Sequence, residues 1–345
     1  MDKIKLGKTG LMVTASSFGA LPVQRVGMDE AKRLLRMAYD GGINYFDTAN
    51  AYSDSEEKIG EALSDVRHNI IISTKSGASD KATLLKHIEL SLRRMKTDYI
   101  DILQLHNPAT LPDPEDPDSL YGGLLEAQKK GWIRFIGITN HRYQVAHDAV
   151  LSRKYDTLQF PFSSISDEKD VALSELARDH DMGFIAMKGL AGGLITDART
   201  TFTFIKQHPW VVPIWGIQRE SELQQFLDME KNPPAYDDEM KRLIARDREE
   251  LAGNFCHGCG YCQPCPAGIQ IQDCARMSLM IRRAPSAGWM TEAMNAEMLK
   301  IENCRHCGAC MKRCPYGLDT PRLLAENLAD YKVFRANFLK EHGTV

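Results

Sequence analysis

Eight short runs rich in β-branched and aromatic residues recur through the first 230 residues, and a stretch of helical character follows each of them. The runs are "VTASSFGA" (13–20), "INYFDTA" (43–49), "NIIISTK" (69–75), "YIDILQLH" (99–106), "WIRFIGITN" (132–140), "TLQFPF" (157–162), "GFIAMKG" (183–189) and "VVPIWGI" (211–217). Among the intervening stretches, "KATLLKHIELSLRRMKTD" sets Leu84, Ile88, Leu92 and Met95 on one helical face. Gly42 and Gly131 stand where helices should terminate. Strands that alternate with helices pair in parallel, and eight such units in this length predict an α/β fold, a (β/α)8 TIM barrel. The alternative is a doubly wound open sheet. The absence of a G-x-G-x-x-G after the first strand weighs against it. The opening "KIKLGKTGLMVTA" predicts a hairpin ahead of the barrel, with Gly10 in its turn.

At 345 residues, the chain is longer than the barrel requires. "EKNPPAYDD" (230–238) reads as a linker, and "DEMKRLIARDREELAG" (238–253) as a helix closing at a glycine. The expected division is a barrel over residues 1–230, a linker and connecting helix over 231–253, and a separate domain over 254–345. A net charge of −3 with no long basic run excludes a nucleic-acid partner. No apolar run is long enough to span a membrane, and the N-terminus lacks a signal-peptide core. A soluble cytoplasmic protein is expected.

In such a barrel the chemistry sits at the C-terminal ends of the strands. The second run ends in Asp47, with Tyr52 in the loop that follows, the third in Lys75 and the fourth in His106. Three consecutive strands thus deliver ionisable groups to one rim. A tyrosine hydroxyl is a reluctant acid at neutral pH, and a neighbouring ammonium such as Lys75 should make it more acidic. Asp47 can hold Lys75, and His106 can hydrogen-bond a substrate oxygen. The group suits carbonyl reduction, with Tyr52 protonating oxygen while hydride reaches carbon.

All nine cysteines lie at or beyond Cys256. Cys304, Cys307, Cys310 and Cys314 follow C-x2-C-x2-C-x3-C-P, the run of bacterial ferredoxins. Cys256, Cys259, Cys262 and Cys265 form a partner run, also ahead of a proline but with two residues before the last cysteine. Eight thiolates match two [4Fe-4S] clusters. The fourth cysteine of each run serves the other cluster in two-cluster ferredoxins. That pattern groups Cys256, Cys259, Cys262 and Cys314 in one set, and Cys304, Cys307, Cys310 and Cys265 in the other. Two four-thiolate zinc sites are the alternative. Cys274 reads as a free buried thiol, and Met277, Met280, Met290, Met294 and Met298 as core filler.

The stretches "YFDTANAYSDSEEKIGEAL", "IISTKSG", "DILQLHNP", "GWIRFIGITNH" and "LQFPFS" resemble the aldo/keto reductase superfamily over residues 3–230. The resemblance implies that Asp47, Tyr52, Lys75 and His106 are a catalytic tetrad. It implies that Thr139, Asn140 and Gln159 hold the nicotinamide carboxamide. Lys188, Gly189 and Leu190, in "KGLAGG", would lie beside the pyrophosphate. Gly216, Gln218, Arg219 and Glu222 would lie near the adenosine 2′-phosphate. Phe226 stands where the family often has asparagine. Arg219 is either a partner of the 2′-phosphate, favouring NADP(H), or a solvated surface arginine, so NAD stays open. The tail resembles the α-helical ferredoxin type, and barrel plus tail resemble the reductase subgroup with a C-terminal ferredoxin-like domain. The function implied is NAD(P)H-dependent reduction of an aldehyde or ketone. The alternative is an electron-transfer protein or subunit whose clusters serve a redox partner protein.

Overall fold

Eight parallel strands close into a barrel because each of the eight apolar runs is long enough for one strand and is bounded by polar turns. The computed structural model describes residues 1–253, 255–283 and 286–342; Asn254, the first residue expected in the cysteine domain, lies outside them. The chain divides into two compact units. One comprises Met1–Gly189 and Arg199–Lys241, the other Leu190–Ala198 and Arg242–Val345.

The first unit opens on an antiparallel hairpin of β1 (Lys3–Lys5) and β2 (Met12–Thr14), with Lys3 opposite Thr14. The barrel strands are β3 (Ser17–Gly19), β4 (Tyr45–Asp47), β5 (Ile71–Ser76), β6 (Ile100–His106), β7 (Ile133–Thr139), β8 (Thr157–Pro161), β9 (Gly183–Met187) and β10 (Val211–Gly216). They run in sequence order around the barrel, and β10 closes on β3 with Ile214 opposite Ser17. The first apolar run is split. The hairpin and the first strand run overlap at residues 13–15 in the sequence reading, and Met12–Thr14 goes to the hairpin. The reason is hydrogen bonding: the Thr14 amide donates to Asn44 Oδ1 (2.8 Å) and the Ala15 amide to Asp2 O (2.8 Å), so the parallel ladder begins only at Ser17.

The hairpin contributes Leu6, Leu11 and Val13 to a core cluster with Tyr45, Ile102, Ile185, Val212 and Ile214 from the strands. Gly7 is required there. It sits at φ +52°, and a Cβ would lie 2.3 Å from the Gly183 amide nitrogen.

The helices of this unit are α1 (Met28–Asp40), α2 (Ser55–Leu63), α3 (Lys81–Arg94), α4 (Leu120–Lys129), α5 (Tyr143–Ser152), α6 (Glu168–Asp179), α7 (Ala198–Lys206, whose Ala198 groups with the other unit) and α8 (Glu220–Lys231). α1 buries Ala31, Leu34, Leu35 and Ala38, one stripe at helical spacing, and carries Asp29 and Glu30 in its first turn, where the helix dipole favours acids. It stops at Gly42, at φ +96°, whose amide bonds the Tyr39 carbonyl. Between barrel strands, the buried Asp101 accepts from Arg67 Nη2 (2.7 Å), Arg134 Nη1 (2.6 Å) and the Ile72 amide (3.0 Å), joining β5, β6 and β7 through one carboxylate.

The second unit is helical. It contains α9 (Asp238–Glu250, whose first residues group with the barrel), α10 (Ile271–Cys274), α11 (Met277–Arg283), α12 (Glu292–Leu299), α13 (Ala309–Arg313) and α14 (Thr320–His342). Its core gathers Ile269, Ile271, Cys274, Met277, Ile281, Met290, Met298, Ile301, Leu324, Leu328 and Tyr331. Three of the five methionines read as filler, Met277, Met290 and Met298, are fully buried in it. Cys274 is buried there too, and burial pushes its thiol up to about 12. The segment Leu190–Ala198 belongs to this unit through two arginines. Arg276 Nη1 donates to Gly192 O (2.9 Å) and Arg283 Nε to Leu194 O (2.6 Å). Among the described residues, no helix is long and apolar enough to cross a membrane.

Candidate active site and thiol sites

Parallel register decides which side chains meet at the barrel rim. Asp47 ends β4, Lys75 is the penultimate residue of β5, and His106 ends β6. Tyr52 lies in the turn after β4, its amide bonded to Ala49 O (3.0 Å). Lys75 Nζ donates to Asp47 Oδ2 (2.5 Å) and to Thr48 O (2.6 Å), and the pair is almost completely buried. Ser73 Oγ (2.6 Å) and Gln104 Nε2 (3.1 Å) both donate to Asp47 Oδ1. The Tyr52 ring centroid stands 5.3 Å from Lys75 Nζ and 5.9 Å from the His106 ring, edge to face. All four residues of the expected tetrad are therefore brought together.

Electrostatics departs from the sequence expectation at Tyr52. Its hydroxyl is raised above the ordinary tyrosine value, by burial first and the Asp47 charge second. The net shift is upward because burial and the Asp47 charge outweigh the nearby ammonium of Lys75, which is paired with Asp47. Burial pulls the Lys75 ammonium down, and the Asp47 carboxylate opposes that shift at contact distance. His106 is pushed down to about 3 by burial, with the Lys75 charge adding to it. The rim thus offers a protonated phenol and a neutral imidazole around one buried ion pair.

Thr139 closes β7 and lies in register between His106 on β6 and Gln159 on β8. Thr139 Oγ1 and Gln159 Nε2 each stand 3.7 Å from the Met187 sulfur, and Gln159 Oε1 accepts from Gln104 Nε2 (2.8 Å). Asn140 is engaged otherwise: its Nδ2 donates to Pro108 O (2.8 Å), and its Oδ1 accepts from the Arg142 amide (2.8 Å). Its side chain shapes the loop rather than facing open space.

Lys188 adopts φ +59°, and a Cβ on Gly189 would lie 2.6 Å from the Trp215 ring. Leu190 groups with the second unit. Gly216 ends β10 opposite Gly19. Glu222 Oε2 accepts from the amides of Gln218 (2.8 Å) and Arg219 (3.0 Å), a helix-capping role at the start of α8. The Arg219 side chain is 73% exposed and 3.8 Å from Glu222. Phe226 stacks on Trp215 with centroids 4.4 Å apart and is buried, so it faces the core. Sequence reasoning missed Ser73, Gln104 and Met187. The strand period of two was the available signal for the first two, since Ser73 lies two residues before Lys75 and Gln104 two before His106.

In the second unit the thiols stand around two cavities. One is lined by Cys256, Cys259, Cys262 and Cys314, the other by Cys265, Cys304, Cys307 and Cys310. The last cysteine of each run has crossed to the other set. Arg313 ties the runs together, donating to Gln263 O (2.9 Å) and Pro264 O (2.8 Å). Gly258 and Gly308 take positive φ within the runs, at +61° and +70°.

Residues 14–210 match the model of the aldo/keto reductase family, more than half of the chain. The chain belongs to the aldo/keto reductase family. Residues 255–319 match a 4Fe-4S dicluster domain. The chain is 31% identical over 211 residues to the uncharacterized oxidoreductase YqkF of Bacillus subtilis, covering 57% of this chain and 67% of that one. It resembles a putative aldo-keto reductase from Pseudomonas aeruginosa (TM-score 0.59, 26% identity, 66% of this chain and 93% of that one). An aldo-keto reductase from Klebsiella pneumoniae, solved with NADPH, shares the fold (TM-score 0.63, 20% identity, 72% and 95% of the two chains). This aldo/keto reductase is therefore an oxidoreductase that joins a barrel to a dicluster domain.

The depressed His106 yields a direct test. The ring signals of His106, followed by NMR in the labelled protein, should stay those of a neutral imidazole from pH 8 down to pH 5. An unfolded histidine takes up a proton near pH 6.5, which the folded site refuses until about pH 3. Stability from this group is therefore present above pH 6.5 and falls as pH drops below it, by about 1.4 kcal/mol per pH unit at most. A His106 titration between pH 6 and 7 would contradict the assignment.

Proposed function

We propose that the barrel reduces a small aldehyde or ketone to an alcohol with NADP(H). The observation that carries this reading is the buried Lys75–Asp47 pair facing the Tyr52 phenol and the neutral His106. The nicotinamide supplies a hydride when bound. Thr139 and Gln159 fit its carboxamide, because among the described residues their side-chain donors share one acceptor, a thioether, which is weak and readily replaced. His106 donates a hydrogen bond to the substrate oxygen and orients it. Tyr52 holds its proton until negative charge develops on that oxygen, then gives it up. Lys75 stabilises the phenolate left behind, and Asp47 holds Lys75 in place. The exposed Arg219 guanidinium suits a 2′-phosphate, which favours NADP(H) over NAD.

The two thiol sets would hold two [4Fe-4S] clusters, each supplying one-electron chemistry. The crossed arrangement of the cysteines supports iron–sulfur over zinc. A second reading, electron exchange with a partner protein, is favoured by one feature. Cys307 is exposed, with Arg305, His306 and Lys312 exposed beside it.

Tyr52→Phe tests the first reading. It should lower carbonyl reduction by on the order of 10²–10⁴ while leaving the NADPH dissociation constant within about threefold. Undiminished turnover would remove Tyr52 as the acid. For the second unit, anaerobically purified protein should contain about eight irons and about eight sulfides per chain. Stoichiometric zinc without visible charge-transfer absorption would overturn the cluster assignment.

A further inference from the structure

Gln104 lies fully buried on β6, two residues before His106, and no step above uses it. Its amide nitrogen makes two contacts, donating to Asp47 Oδ1 (3.1 Å) and to Gln159 Oε1 (2.8 Å). Its own carbonyl oxygen is buried without a hydrogen-bond partner. An amide can in principle be turned end for end, but here the orientation is dictated. Asp47 is an ionised carboxylate paired with Lys75 and can only accept. Turning Gln104 would set its carbonyl oxygen against that carboxylate and lose both bonds at once. β7 leaves room for this arrangement: a Cβ on Gly137 would lie 2.8 Å from Gln104 Cγ.

The polarity then propagates. With Gln159 Oε1 turned inward to Gln104, Gln159 Nε2 points the other way, toward the Met187 sulfur, which Thr139 Oγ1 also faces. Two donors on register-paired residues converge on one weak acceptor. A carbonyl oxygen is the stronger acceptor for such a pair. We propose that Gln104 is a positioning residue that transmits the polarity of the Asp47–Lys75 pair to Gln159, so that Gln159 donates to the oxygen of the nicotinamide carboxamide instead of accepting from its nitrogen. The inference rests on the nicotinamide reading above and specifies how that site recognises its ligand.

Sulfur in place of the carboxamide oxygen weakens the acceptor and strengthens the neighbouring N–H donor, so it reads the polarity directly. Binding to the full-length protein is measured by calorimetry for NADP⁺, for its thionicotinamide analogue, and for 2′-phospho-ADP-ribose, which lacks nicotinamide. The wild type should prefer NADP⁺ over the thio analogue by about tenfold. Gln104→Leu should weaken NADP⁺ by about tenfold and reduce the preference to about twofold, because Gln159 is then free to turn. Affinity for 2′-phospho-ADP-ribose should be unchanged, which a merely structural lesion would not allow. Gln104→Met, a flexible apolar replacement, should behave alike and serves if the leucine variant does not fold. Adding Gln104→Leu to Gln159→Leu should cause no further loss of preference. A wild type that binds the thio analogue as tightly as NADP⁺ would overturn the donor polarity. A wild-type preference that survives intact in both Gln104 variants would overturn Gln104 alone. NADP⁺ binding no tighter than the nicotinamide-free fragment would overturn the nicotinamide reading itself, and this inference with it.

Discussion

A lysine ammonium and an aspartate carboxylate buried together at a barrel rim are costly unless every remaining polar valence is met. Around Lys75 and Asp47 those valences are met by the strands themselves. Thr48 O accepts from Lys75, while Ser73 and Gln104 donate to Asp47. The identities of two residues, Ser73 on β5 and Gln104 on β6, follow from this one pair. So does the state of its neighbours. Burial first, and the Lys75 charge after it, keep His106 neutral, while burial and then the Asp47 charge keep Tyr52 protonated. Through Gln104 the same carboxylate reaches β8, so the pair organises both halves of the proposed hydride and proton transfer.

The barrel was legible in the sequence because its signal is periodic and redundant. Eight β-rich runs, each flanked by helical spacing, leave few other ways to bury their residues, and Gly42 and Gly131 both take the positive φ that a helix end requires. The hairpin was legible from Gly10, at φ +68°. Which of the two overlapping readings would take residues 13–15 was not, because the Asn44 and Asp2 contacts that divert those amides come from elsewhere in the chain. The same limit applies within the site. Residue type and strand end located Asp47, Tyr52, Lys75 and His106. They said nothing of where the side chains of Asn140 and Glu222 would be spent, one on a loop and one on a helix cap. Burial reversed the expected influence on Tyr52, and burial is a property of the packed barrel rather than of any motif. The crossed cysteine sets were legible only through the pattern of two-cluster ferredoxins, in which the fourth cysteine serves the other cluster; the spacing before Cys265 is the same as within its own triplet. The grouping of Leu190–Ala198 with the second unit was not, for it depends on Arg276 and Arg283, whose contacts span 84 and 89 residues.

A nicotinamide gives up two electrons as hydride, whereas an iron–sulfur cluster accepts one, and a flavin ordinarily mediates between them. The barrel as built, with a phenol held protonated beside a neutral imidazole, is suited to the two-electron process and needs no cluster for it. The proposed chemistry is therefore divided between the two units, hydride transfer for the barrel and one-electron chemistry for the thiol sets.

That separation is tested most directly by the origin of the hydrogen on the product. NADPH deuterated at the transferable position of nicotinamide C4 is supplied, without oxygen, to the full-length protein with a reducible aldehyde or ketone, and the alcohol is analysed by NMR and mass spectrometry. The account predicts one deuterium on the carbinol carbon of the product, none lost to water, and a solvent hydrogen only on the oxygen. A carbinol hydrogen drawn from solvent, with the deuterium released, would mean that the electrons travel singly and would contradict it.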